Sequence, residues 1–280
     1  MRVPVLTYHA FNIAGNDYAN NDHVAFASDL ARITTLGWKI APLHRVIDAL
    51  LAGTHALPAK TLAITFDDAT DFDFHDLPHP QFGVQRSMLN IMRDFMAEHP
   101  GAQPDLHATS FVIASPEARA TMDRLRLFDK QWMNDSWWCE AVATGLMGIA
   151  NHSWDHTNEV LDAVAQRNQE KGNFFCIDTE LDADAQIREA AGYIAGKAPN
   201  DSLSLFGYPY GHVNAFLPRE YFPRQAKLPV PFVRAAFGTH AGMITPESDR
   251  WNLPRYVCGW HWKSAEGLAA ILAGRSDEAR

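Results

Sequence analysis

The sequence predicts an α/β fold built on parallel strands. Short apolar, β-forming runs alternate along the chain with segments whose apolar residues recur at helical spacing. Several of those runs deliver an acidic or histidine residue at their C-terminal ends, where α/β barrels carry their chemistry. The 280 residues are 47% hydrophobic, enough for a large core, and α/β barrels of this length fold as one unit. No repeat, low-complexity tract or linker divides the chain, so a single domain over 1–280 is expected.

Val3 to Tyr8 reads as the first strand and leads into His9. An Asn-rich loop, Asn12 to Asp22, follows. Phe26, Leu30, Ile33 and Leu36 then mark a helix stopped at Gly37. Trp38 to Ile40 fits a short strand. Leu43, Val46, Ile47, Leu50 and Leu51 mark a second helix ending at Gly53. After Pro58, Thr61 to Thr65 reads as a buried strand running into Phe66-Asp67-Asp68. Ala69 to His107 reads as a long loop with one helix, at Met88, Ile91, Met92 and Phe95; loops of that length are more often functional than idle. Thr109 to Ala114 is the next strand, with a helix around Glu117 to Phe128. Trp132 to Trp138 shows no clean period, and its aromatics fit either core packing or sugar stacking. Gly148 to Ala150 forms a strand into Asn151-His152. Asn158 to Asn173 reads as helical or exposed, and Asp182 to Ala195 as a helix ended near Gly196. Strands at Leu203 to Phe206, Phe232 to Ala236 and Tyr256 to Cys258 precede a closing helix, Glu266 to Ala273.

A net charge of −9 argues against a phosphate-tracking nucleic-acid binder, and no apolar run approaches bilayer length. Cys139, Cys176 and Cys258 form no C-x-x-C pair, which points to thiols rather than a disulfide framework or zinc ribbon. Met1 to Leu6 enters a strand without a signal peptide's apolar core. A cytoplasmic protein is expected from the sequence as it stands, and an extracytoplasmic one if an export segment precedes it.

Three stretches carry the chemistry. Asp67 and Asp68 are adjacent carboxylates at a strand end, which fits either a capping or turn pair or a metal ligand beside a proton-transfer base. His152 and His156 lie four apart after another strand, a spacing that lets two imidazoles meet one metal. Thirteen histidines in 280 residues yield roughly 0.6 such pairs by chance, so spacing alone decides little. His75 and His79 form a second such pair, but with Pro78 between them and no strand before them. Tyr208-Pro209-Tyr210-Gly211 fits a simple turn, or a pocket wall presenting a backbone N–H to a developing oxyanion. An Asp with two histidines leaves metal positions open, as catalytic rather than structural sites do.

Thr65-Phe66-Asp67-Asp68, His152-Ser153-x-x-His156 and Tyr208-Pro209-Tyr210-Gly211 occur in the order found in the polysaccharide deacetylase family, the NodB-homology group or carbohydrate esterase family 4. Val3 to His9 and Leu253-Pro254-Arg255-Tyr256 resemble its poly-N-acetylglucosamine branch. The resemblance covers most of the chain. It implies a distorted (β/α) barrel, an incomplete TIM-like barrel of about seven strands, and metal-dependent de-N-acetylation of an amino sugar or polysaccharide. It further implies Asp67 as general base; Asp68, His152 and His156 as ligands of a divalent metal of zinc type; and the Tyr210 N–H as oxyanion donor.

Three departures from the family pattern stand out. Ala69 replaces the usual Gly after the two aspartates, so the turn must either avoid positive φ or carry strain. The arginine usual before the Pro-Tyr pair is missing, and Arg255 is the candidate to orient Asp67 in its place. No Leu-x-His motif supplies the general acid; His9 is the first candidate and His261 the second. Two other functions stay open: hydrolysis of a small non-sugar amide in the cytosol, and a catalytically silent glycan-binding relative.

Overall fold

The computed structural model describes residues 1–53 and 57–275. The elements run β1 (Val3–Tyr8), α1 (Asp22–Thr35), β2 (Lys39–Ile40), α2 (Leu43–Leu51), β3 (Thr61–Asp68), β4 (Leu77–His79), β5 (Gly83–Gln85), α3 (Met88–Glu98), β6 (Ala108–Val112), α4 (Pro116–Arg126), α5 (Trp138–Ala143) and β7 (Met147–Asn151). Then come α6 (Glu180–Ala183), a π-helical stretch Asp184–Arg188, α7 (Glu189–Lys197), β8 (Leu205–Gly207), α8 (Phe222–Gln225), β9 (Ala235–Phe237), β10 (Met243–Ile244), β11 (Tyr256–Val257) and α9 (Ala265–Leu272).

The sheet runs β10-β1-β3-β6-β7-β8-β9, with β11 paired to β1 and β2 to β3. Every pairing on this path is parallel except that of β10 with β1. It is the curled, incomplete (β/α) barrel that the resemblance implied. β1, β6 and β7 are buried along their whole lengths, as parallel strands covered on both faces must be.

The period of two sorts side chains between the faces. Val5, Ala63, Phe111, Ala150, Leu205 and Ala235 share one core cluster with α2 residues such as Val46 and Ile47. Leu6, Ile64, Ala108 and Ile149 join the other cluster, with Phe26 and Leu30 of α1 and Met88 and Met92 of α3. Thr65 and Asp67 have the same parity as Ala63, so one column of side chains rises along β3 from core to site.

Several expectations change in detail. Residues 69–107 hold more than one helix: β4 and β5 form a short hairpin. Each is three residues long, too short to leave a periodic signal. Residues 158–173 are neither helical nor simply exposed. They are turns that bury Leu161, Val164 and Gln166, with the Gln166 and Gln169 side chains bonding local backbone groups. The Trp-rich stretch is packing rather than a stacking surface: Trp132, Trp137 and Trp138 are buried, and Trp138 opens α5.

Candidate metal and catalytic site

Six of the predicted site residues meet at the C-terminal ends of the parallel strands, in one cavity of about 610 Å³, and Arg255, just ahead of β11, lies outside its lining. β1 delivers His9, β3 delivers Asp67 and Asp68, the segment after β7 delivers His152 and His156, and that after β8 delivers Tyr210. In a regular strand, Asp67 and Asp68 would face opposite sides. Left-handed backbone at Asp68 (φ 70°) and Ala69 (φ 52°) breaks the alternation, and both carboxylates line the cavity. Ala69 thus takes the strained alternative rather than avoiding positive φ.

Asp68 Oδ1 lies 3.4 Å from Nε2 of His152 and 3.4 Å from Nε2 of His156. This buried oxygen makes no hydrogen bond. Donors set tetrahedrally about 2.0–2.2 Å from a zinc-like ion stand about 3.4 Å apart, so these two separations suit such an ion, and all three donor atoms lie within 4.8 Å of one another. His152 Nδ1 is 2.9 Å from the Gly207 carbonyl, an arrangement in which Nδ1–H donates and Nε2 is left unprotonated for a metal. Glycine at 207 leaves room for this contact: a Cβ there would stand 3.1 Å from both His152 Nδ1 and the Phe111 ring, so the imidazole would have to shift by a few tenths of an ångström. The turn that brings His156 back uses left-handed backbone at Ser153, His156 and Thr157. Ser153 Oγ accepts from His156 N, and Asp155 Oδ1 accepts from Thr157 N. Asp155 is held in turn by Gln186 Nε2.

Arg255, fully buried, grips Asp67 with both ends of its guanidinium: Nη1 to Oδ1 at 2.7 Å and Nη2 to Oδ2 at 2.9 Å. Its Nε donates to the Gly238 carbonyl, and the Phe111 ring lies 5.2 Å from its centre. Arg255 thus lies against Asp67, the residue it was expected to orient.

Burial pushes the Asp67 carboxyl up, but Arg255 and His152 outweigh it and hold it below the usual carboxylate range. Asp68 shows the same balance, with burial opposed by His156 and His152, and also ends low. Burial lowers His152, yet Asp67 and Asp68 bring it above its ordinary value. Burial dominates at His156, which falls to about 4. The two carboxylates are thus ionised and His156 neutral near pH 7, as a cation requires of them, whereas the carboxylates favour on His152 a proton that a cation would displace.

His9 lines the cavity, with its backbone N–H fixed by Asp22 Oδ2 at 2.7 Å. His261 lies outside the cavity lining, and its Nδ1 accepts the Val257 N–H at 2.7 Å. Tyr210 has left-handed backbone (φ 58°), and among the described residues no backbone carbonyl takes its N–H. Its ring packs edge-on against His156, with centroids 4.3 Å apart. His75 and His79 do not join the group.

Other lining residues had no signal in the sequence. Thr70 is buried with its Oγ1 unpartnered. It lies only two residues past Asp68, and position was the one clue. Met122 and Met133 also line the cavity. Met133 is brought there because Asp71, just after Thr70, binds the backbone on either side of it: Asp71 N donates to Trp132 O, and Asn134 N donates to Asp71 Oδ1.

No protein-family model and no curated protein matches the chain. Solved structures do match. A de-N-acetylase from Aggregatibacter actinomycetemcomitans superposes with a TM-score of 0.63 at 12% identity, over 97% of this chain and all of that one (100%). IcaB from Ammonifex degensii gives 0.62 at 17% identity, over 97% of each chain. A polysaccharide deacetylase from Bacillus cereus gives 0.61 at 15%, over 97% of this chain and 69% of that one. At such identities the likeness shows a shared fold.

Proposed function

We propose that this chain is a metal-dependent hydrolase of a non-peptide C–N bond that removes the N-acetyl group of an amino sugar. The observation that carries this reading is the convergence of Asp68, His152 and His156 beside an arginine-clamped Asp67, on a fold shared with a de-N-acetylase and a polysaccharide deacetylase. A zinc-like divalent cation held by that trio would polarise the amide carbonyl and acidify a water.

The chain's own residues supply the rest. Each Asp67 oxygen accepts one hydrogen bond from Arg255, and a carboxylate oxygen has room for a second. Asp67 therefore accepts the water's proton without leaving Arg255. The Tyr210 N–H donates to the oxyanion as the carbonyl carbon becomes tetrahedral. His9, across the cavity, protonates the departing amine.

Acetate release from N-acetylglucosamine and its short oligomers by zinc-loaded protein tests the reading. Asp67→Asn should retain metal and lose about 10²–10⁴-fold in kcat, while Asp68→Ala should lose metal and activity together. Full metal content with full hydrolysis in Asp68→Ala would refute the assignment. The cavity volume falls in the range of small-molecule sites. It therefore favours a compact substrate, a short amino-sugar oligomer or a small non-sugar amide, over a long polymer. Activity that rises steadily with polymer length would count against that part.

A further inference from the structure

A single exposed aromatic ring carries no message by itself. Phe175, 50% exposed, differs in two ways: its turn is firmly held, and its ring is joined to the site. Phe174, one residue earlier, is fully buried with Phe206 in a core cluster. Asn173 Oδ1 accepts from Phe175 N at 2.9 Å. Asn214 Nδ2 donates to the carbonyls of Phe175 and Ile177, at 3.0 and 2.6 Å. The Phe175 ring lies nearly flat on His212, with centroids 4.2 Å apart and planes inclined at 15°. His212 Nδ1 accepts from Phe174 N at 3.3 Å, and burial lowers the proton affinity of the imidazole. The ring is therefore the neutral Nε2–H tautomer near pH 7, with that N–H left to donate.

His212 lies 5.2 Å from the Tyr210 ring, and Tyr210 4.3 Å from His156, centroid to centroid. A row of rings thus runs from a candidate metal ligand, through the cavity lining at Tyr210, to solvent at Phe175. The same segment touches the cavity a second time. Gly172 lines it, and Gly172 N donates to the carbonyl of Thr157, next to His156. Phe11 and Trp260 also line the cavity and are exposed. Phe11 pairs with His9 and Trp260 with His261, so neither starts a row from a ligand.

We infer that Phe175 and His212 form a subsite for the sugar unit next to the one being deacetylated, and that the preferred substrate is a short amino-sugar oligomer. The inference rests on the hydrolase reading above and deepens it. A pyranose presents C–H groups on its faces and hydroxyls around its rim. The open part of the Phe175 ring suits the first, and the His212 Nε2–H the second. The hydrogen bonds to Asn173 and Asn214 hold the turn in place before the sugar arrives, which lowers the ordering cost of binding. Among the described residues no further ring stacks on Phe175, so the gain should stop within a few units rather than grow with length.

The test measures amine released by zinc-loaded protein from N-acetylglucosamine and from its β-1,4- and β-1,6-linked trimers and hexamers. A trimer gives its central unit a neighbour on either side, whichever side Phe175 serves. The better trimer is expected to exceed the monomer about tenfold in kcat/KM, with its hexamer within about twofold of it. Phe175→Ala should lower the trimer-to-monomer ratio about tenfold, and Phe175→Trp should keep it. His212→Gln keeps an acceptor for Phe174 N but removes the ring under Phe175. It should lower the same ratio, and it serves where the alanine variant fails to fold. A monomer used as well as either trimer, or a ratio that neither variant moves, would overturn the subsite while leaving the hydrolase reading standing. No amine from any of these substrates, with metal bound, would sink the hydrolase reading and this inference with it.

Discussion

The pairing of Asp67 with Arg255 sets both the orientation and the proton affinity of the carboxylate that the proposed reaction uses as its base. Two short hydrogen bonds from a fully buried guanidinium fix the carboxylate plane and lower its proton affinity. A base held this way gives up some strength in return for a single geometry. In Arg255→Gln the carboxylate would stay buried without its countercharge, and its proton affinity would rise. The acid limb of the kcat/KM profile should then move to higher pH, with kcat lower about 10²-fold and the fold weaker by about 3–5 kcal/mol. A pH profile of amine release together with urea denaturation would measure both, and an unmoved acid limb would contradict the account. At this scale the charged residues were legible in the sequence only jointly: the aspartate pair and the histidine pair each fit a bland reading alone, and their order with the Tyr208-Pro209-Tyr210-Gly211 loop singled them out. Thr70 and Met133 were not. Their place follows from tertiary bonds such as those of Asp71, which no local pattern records.

The end of β3 illustrates how an element positions chemistry at a cost. Ala69 is fully buried with φ of 52°, a region that costs an alanine about 1–2 kcal/mol. Ala69→Gly would relieve that strain but give up a buried methyl and gain unfolded-state freedom, so stability should stay within about 1 kcal/mol of wild type. Ala69→Val puts a β-branched side chain into both a forbidden φ and a full core, and should lose about 2–4 kcal/mol by urea denaturation. At the N-terminal side of β6, His107 makes a different prediction. It is buried with Nδ1 unpartnered, and burial, then His44 and Arg45, push its pKa down to about 3. An unfolded histidine titrates near 6.5. Between those values the unfolded chain binds a proton that the native state refuses, so stability is lost as pH falls through that window. By pH 5 the loss is about 2 kcal/mol. His107→Leu should therefore lose about 2 kcal/mol less than wild type between pH 7.5 and 5.0 in paired denaturation curves. The principal strands and helices were legible because their apolar periods are strong. The β4–β5 hairpin and β10 escaped because Leu77-Pro78-His79, Gly83-Val84-Gln85 and Met243-Ile244 offer at most two consecutive apolar residues.

For the whole molecule, what matters is which parts of the chain the ligand trio joins. Asp68 leaves β3 and the two histidines follow β7, and these strands are separated in the sheet by β6. A cation there would tie together residues 84 to 88 positions apart, across an incomplete barrel in which β9 reaches β1 only through the Phe237–Leu253 bridge and the short β11. The trio forms only in the folded chain, so bound metal stabilises by mass action, about 4 kcal/mol at a thousandfold excess over Kd. For a chain of this size that corresponds to a rise in Tm of about 10 °C. Chelation should lower the melting temperature of the wild type by that amount, and restored zinc should recover it. His156→Ala, which removes one of the three candidate ligands, should melt at the same temperature with and without chelator. Differential scanning calorimetry of the four samples decides the matter. A chelator shift that persists in the variant would place the stabilising cation elsewhere in the molecule. Equal melting temperatures for zinc-loaded and chelated wild type, with metal content measured, would mean that the trio does not bind the ion tightly enough to hold the barrel's two halves together.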